Sequence, residues 1–90
     1  MERNKTIITQ DGVILNFGNL TSIAVEPVEI EDENESISSE YGLVAYDNRG
    51  ADTLIFHDET IDRVLSERDR FIKWLQQEAF STFTMNGGEI

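Results

Sequence analysis

Lys5 to Phe17 reads KTIITQDGVILNF, and its midpoint decides the fold. Asp11-Gly12 is the dipeptide favoured by a two-residue type I′ turn, in which both central residues take φ > 0. The short apolar-rich runs on either side, Lys5–Gln10 and Val13–Phe17, make the stretch a β-hairpin. A two-residue loop pairs Gln10 with Val13, Ile8 with Leu15 and Thr6 with Phe17. Ile8, Val13, Leu15 and Phe17 then share the core face, while Ile7 and Ile14 fall on the other.

Working outward, Gly18-Asn19 marks a second reversal before Leu20–Ile30, LTSIAVEPVEI. Ile23 and Val25 keep one parity there, and Val28 and Ile30 the other. The switch brackets Pro27, which cannot donate a ladder hydrogen bond, so a bulge or break is expected at Pro27 with the strand at a sheet edge. Tyr41–Asp47 and Asp52–His57, joined by Asn48-Arg49-Gly50-Ala51, form a second hairpin.

Asp58 then reads as an N-cap, with Glu59 and Asp62 in the first turn. Ile61, Val64, Leu65, Phe71, Ile72, Leu75 and Ala79 lie within about a third of the circumference at helical spacing. An amphipathic helix is expected over residues 59–80, with Glu59/Arg63 and Asp69/Lys73 as acid-first i, i+4 pairs. The tail STFTMNGGEI adds a short strand at Thr82–Met85. The fold class is therefore α+β, an antiparallel sheet of about five strands with one C-terminal amphipathic helix packed on one face. Leu15, Phe17, Leu43, Leu54, Phe56, Leu65, Ile72 and Leu75 are the expected core.

Ninety residues make one domain, expected over residues 1–80 with an acidic loop at about 31–39 and a tail at 81–90. The chain has no cysteine, which excludes disulfides, thiolate metal sites and thiol catalysis. Seven Lys+Arg against eighteen Asp+Glu leave a net charge of −11. Such a surface repels phosphate backbones, so no direct nucleic-acid contact is expected. No apolar run is long enough to span a membrane, and a cytoplasmic protein is the expectation. The charge is concentrated: residues 26–40 hold Glu26, Glu29, Glu31, Asp32, Glu33, Glu35 and Glu40 with no base.

Each candidate site has a plainer reading beside it. His57 and Asp58 are adjacent, but without a second histidine a strand end and a helix cap explain them. Glu31, Asp32, Glu33 and Glu35 lack the spacing of a calcium loop, as does Asp47-Asn48-Arg49-Gly50, so no metal or other cofactor is expected. Arg68 falls inside the apolar stripe between Leu65 and Ile72. It either snorkels and pairs with a carboxylate, or anchors an acidic ligand. Trp74, on the flank of the stripe, either seals the core margin or anchors a protein partner.

No catalytic constellation emerges, so the chain is expected not to be an enzyme. The expected function is that of a small acidic binding protein whose partner presents a basic surface. Glu29, Glu31, Asp32, Glu33, Glu35 and Trp74 are the candidate partner-binding residues. In size and charge the chain resembles the small acidic inhibitors that phages encode against host nucleases. That resemblance implies a nucleic-acid mimic, with carboxylates standing in for phosphates. The alternative is a homodimeric or oligomeric interaction module, in which the acidity only maintains solubility.

Overall fold

A computed structural model describes residues 5–77 and 82–86. In chain order it contains β1 (Thr6–Ile8), β2 (Ile14–Asn16), a 3-10 turn at Phe17–Asn19, β3 (Leu20–Glu31), β4 (Ile37–Asp47), β5 (Asp52–Asp58), α1 (Ile61–Leu75) and β6 (Thr82–Thr84). The fold is α+β, as the sequence leads one to expect, but its strands divide into two three-stranded sheets. One has the order β2-β1-β6, with β6 parallel to β1; the other is the antiparallel meander β3-β4-β5. The expectation of about five strands in one sheet is thereby corrected. The reason is local: the Asn16 carboxamide accepts the Gly18 N–H at 2.9 Å and stabilises a turn that sends β3 away from β2. The second edge of β1 is left for β6, which returns after the helix.

The first hairpin forms with its register shifted by one residue. Ile7 faces Leu15 and Ile8 faces Ile14. Gly12 takes φ +88° while Asp11 does not enter the positive-φ region, so the type I′ geometry is absent. A three-residue loop replaces it, closed by Thr9 N–H to Val13 O at 2.8 Å and Gly12 N–H to Thr9 O at 2.9 Å. A one-residue slip inverts the faces of a strand. Ile7 is consequently buried, whereas Val13 is 50% and Ile14 70% exposed. Leu15 and Phe17 still pack against the core.

The same loop recurs twice. Asp47–Ala51 closes with Asp47 N–H to Ala51 O at 3.0 Å, and Gly50 takes φ +85°. Asp32–Ser36 closes with Asp32 N–H to Ser36 O at 2.9 Å, and here Glu35 takes φ +63°. In all three loops the first side chain accepts the N–H of the fifth residue: Thr9 from Val13, Asp47 from Ala51 and Asp32 from Ser36. The acidic loop expected over 31–39 thus contracts to Asp32–Ser36, with β3 running through Glu31 and β4 starting at Ile37.

No bulge occurs at Pro27. The β3–β4 register is unbroken from Ser22 to Glu31, and its one shift lies between Leu20 and Ser22. The edge position is as expected, because β3 ends its sheet. Since Asp32 donates to Ser36, the even-numbered residues of β3 bond to β4, and the odd ones, Pro27 among them, turn their backbone groups to the open edge. The change of apolar parity arises because both faces of the sheet are partly apolar. Val28 and Leu54 close over Gly42 on the face away from the helix, where a Cβ would lie 2.6 Å from Leu54 Cδ1 and 3.2 Å from Val28 Cγ1. Leu54 therefore belongs to that outer face and not to the helix-side core with Leu43 and Phe56.

Helix α1 begins later than expected. Thr60 holds the cap position without a side-chain bond, and Asp58 instead accepts the Thr60 N–H at 2.9 Å. The helix also ends earlier, at Leu75 with Gln76 as its C-cap and Gln77 outside it, while the expected positions Ala79 and Phe80 lie outside the described residues. The buried face consists of Val64, Glu67, Phe71 and Trp74, roughly a quarter turn from the aliphatic stripe. Aromatic area decides this rotation: Phe71 and Trp74 pack with Phe17 and Phe83 at ring-centroid distances between 5.3 and 6.2 Å. Leu65 and Leu75 are left half-buried, and Ile72 is 43% exposed, against its expected place in the core.

Candidate functional site

The acidic residues of the 26–40 segment divide by what holds them. Glu26 accepts a hydrogen bond from the Tyr46 hydroxyl, and Glu40 lies 2.7 Å from His57 Nδ1. Tyr46 is held above the ordinary tyrosine value of 10.0, first by that hydrogen bond, then by desolvation and by the negative charges of Glu26 and Asp52. Asp32 spends Oδ1 on the Asn34 and Ser36 N–H groups at 2.8 and 2.9 Å. Glu29, Glu31, Glu33 and Glu35 are exposed, and their side chains form no hydrogen bond or ion pair with the described residues.

These four stand on an arm. β5 ends at Asp58, opposite Tyr41, so outward from Val28 and Glu40 the β3–β4 hairpin continues with two strands. Val28 to Asp32 carries the chain about 13 Å at strand rise. Glu29 and Glu31 share one face, opposite Ser39 and the exposed Ile37. They are about 7 Å apart along the strand, against one phosphate per about 3.4 Å of axis on a nucleic-acid strand. Glu33 and Glu35 add charge at the tip, and no lysine or arginine interrupts the arm.

Trp74 does not belong to this surface. It is only 6% exposed, packed among Phe17, Phe71 and Phe83 with the Lys5 ammonium 4.7 Å from its ring centroid. The partner-anchor reading of Trp74 is corrected: its ring is core. His57 lies within β5 beside Glu40, and Asp58 holds the Thr60 N–H and faces Arg63 at 3.8 Å. Among the described residues no three His, Asp or Glu side chains converge as metal ligands. No helix among them is long and apolar enough to cross a membrane.

Two features were not evident from residue order. Glu67, at 1% exposure, sits in the middle of the buried helix face and pairs bidentately with Arg70 at 2.9 and 2.8 Å. Glu67 also accepts the Asn86 N–H at 2.9 Å, while Arg70 donates to Thr84 O at 2.7 Å and to Asn86 Oδ1 at 2.9 Å. This network ties β6 to the helix; the i, i+3 acid–base spacing was its only signal. The second feature is an apolar groove of about 270 Å³ between α1 and β3, lined by Phe17, Leu20, Ile23, Phe71, Ile72 and Leu75. Arg68 stands at this groove half-exposed, with Asp69 at 3.5 Å as its ion-pair partner. The rotation of the helix face creates this groove, and Arg68 within an aliphatic stripe was the cue to it. No protein-family model matches the chain, nor does any curated protein or solved structure.

Proposed function

We propose that this is a non-enzymatic acidic binding protein whose β3–β4 arm docks into a basic groove of a partner protein. The observation that carries this reading is the arm itself: four exposed glutamates whose side chains have no partner among the described residues, on a two-stranded projection that runs beyond the end of β5. Solubility alone requires no such clustering. In its sharpest form the arm is a nucleic-acid mimic that blocks a DNA- or RNA-handling protein, as phage anti-defence inhibitors do. The arm's carboxylate spacing, about twice that of strand phosphates, suits a cleft of arginines and lysines better than sequence-specific contacts.

The test replaces Glu29, Glu31, Glu33 and Glu35 by Gln and leaves Asp32 to hold the loop. Stability should change by no more than about 0.5 kcal/mol, as for other surface substitutions. A partner retained from lysate at low salt by the natural chain should be released by salt, by the neutralised arm and by competing duplex DNA or RNA. Equal retention by the neutralised chain at every salt concentration would overturn the arm reading. Failure of nucleic acid to compete would leave the arm and remove the mimic.

A further inference from the structure

We infer that the open edge of β3 beside α1 takes an extended segment of another protein as an added strand, with one Asp or Glu side chain of that segment on Arg68. This site is distinct from the acidic arm and does not depend on it.

The edge is blocked over one half only. Edge strands invite pairing, and natural sheets cover them with proline and charge. In β3, Pro27 removes a donor, and Glu29 and Glu31 follow it on the same backbone parity. Among the described residues nothing comparable protects Thr21–Val25, where Ile23 and Val25 direct their N–H and C=O groups outward. The 3-10 turn at Phe17–Asn19 limits the other end, so the open window fits a short strand.

The apolar groove runs alongside this window. Leu20 and Ile23 form one wall, Phe71, Ile72 and Leu75 the other, and Phe17 closes the end. A strand added to Ile23 and Val25 projects alternate side chains toward α1, and an apolar one among them fills the groove. Edge strand plus helix groove is thus a backbone site and a side-chain pocket in register with each other.

Charge selects the occupant. Arg68 is the cation lining the groove, and its exposed neighbour Asp69 at 3.5 Å leaves most of its donors for a carboxylate. A chain of net charge −11 repels a strongly acidic peptide. The ligand is therefore apolar at alternate positions, carries one carboxylate at the groove, and is neutral to basic overall.

A display library of random linear peptides, selected against the whole chain, tests this directly. The strongest peptide is synthesised with both ends capped and its affinity measured by fluorescence polarisation. Selected peptides should share apolar alternation with one Asp or Glu. Binding should slow hydrogen exchange at the Ile23 and Val25 amides of the unaltered chain. Arg68→Glu should weaken binding at least tenfold, and exchange of the peptide carboxylate for lysine should restore it; Arg68→Gln should give an intermediate loss. Failure to select any peptide, equal binding to Arg68→Glu, or protection elsewhere overturns the inference. So does concentration-dependent dimerisation that protects Ile23 and Val25 without peptide, which would give the edge to a second copy of this chain.

Discussion

Glu67 and the glutamates of the arm are the same residue type in opposite circumstances. Glu67 is buried on the helix, with the Arg70 fork, the Asn86 N–H and the aromatic core around it. Glu29, Glu31, Glu33 and Glu35 are in water on a two-stranded hairpin with no base beside them among the described residues. A carboxylate in the interior is tolerated only when its charge and lone pairs are met, and once met it becomes a structural tie. A carboxylate in water costs nothing to hold and is free to meet another molecule. Acidity in this chain is thus two different devices, told apart by partners.

The largest effect expected tests the core side of that contrast. Phe71→Ala empties a site touching Phe17, Trp74 and Phe83, and should cost about 3–5 kcal/mol, read as a shift of the urea midpoint. Arg70→Ala removes the guanidinium that pairs bidentately with the buried Glu67 carboxylate. A broken buried pair costs about 3–5 kcal/mol, but the Arg70 side chain is 38% exposed, so about 2–3 is expected. The same substitution should also speed hydrogen exchange at the Asn86 amide, since β6 loses its tie to the helix. If Arg70→Ala costs no more than the arm neutralisation, the distinction between the two sets of carboxylates fails.

A smaller effect sharpens the arm side. Glu35 takes the left-handed position that Gly12 and Gly50 fill in the sister loops. Glu35→Gly removes a penalty of about 1–2 kcal/mol and adds about 0.5–1 of unfolded-chain entropy, for a net gain of about 0.5–1 in a denaturation curve. A loss in its place would mean that the Glu35 side chain supports the loop. The smallest effect concerns Glu26, the acid held at the base of the arm. Because Tyr46 ionises later in the folded chain, its bond to Glu26 contributes stability fully below the ordinary tyrosine value, and this is lost as pH rises through the raised one. In a Tyr41→Phe background, Glu26→Gln should move the phenolate absorbance transition to lower pH. An unmoved transition would separate Tyr46 from Glu26.

Much of this was legible in residue order. The Asp11-Gly12 hairpin, the second hairpin, a helix through Val64–Leu75 and a strand at Thr82 follow from turn chemistry and periodicity, because these depend on neighbours a few residues away. The acidic segment and the oddity of Arg68 were visible for the same reason. Register was not, since a Gly-containing turn can close a loop of two or three residues, and that choice exchanged Ile7 for Ile8 in the core.

By itself the sequence determined the α+β class, the edge position of the Pro27 strand and the clustering of charge, all of which are local or additive properties. Only the tertiary structure decided which helix face is buried. Seven aliphatic and aromatic positions promised one stripe, yet Phe71 and Trp74 had Phe17 and Phe83 to meet, and the larger aromatic area turned the helix by a quarter. That rotation drew Glu67 into the interior and moved Arg68 and Ile72 to the open side of β3. Glutamate at the centre of a core face is stable only because Arg70 and the returning β6 strand reach it, and no pattern within a single helix encodes a partner that arrives from elsewhere in the chain.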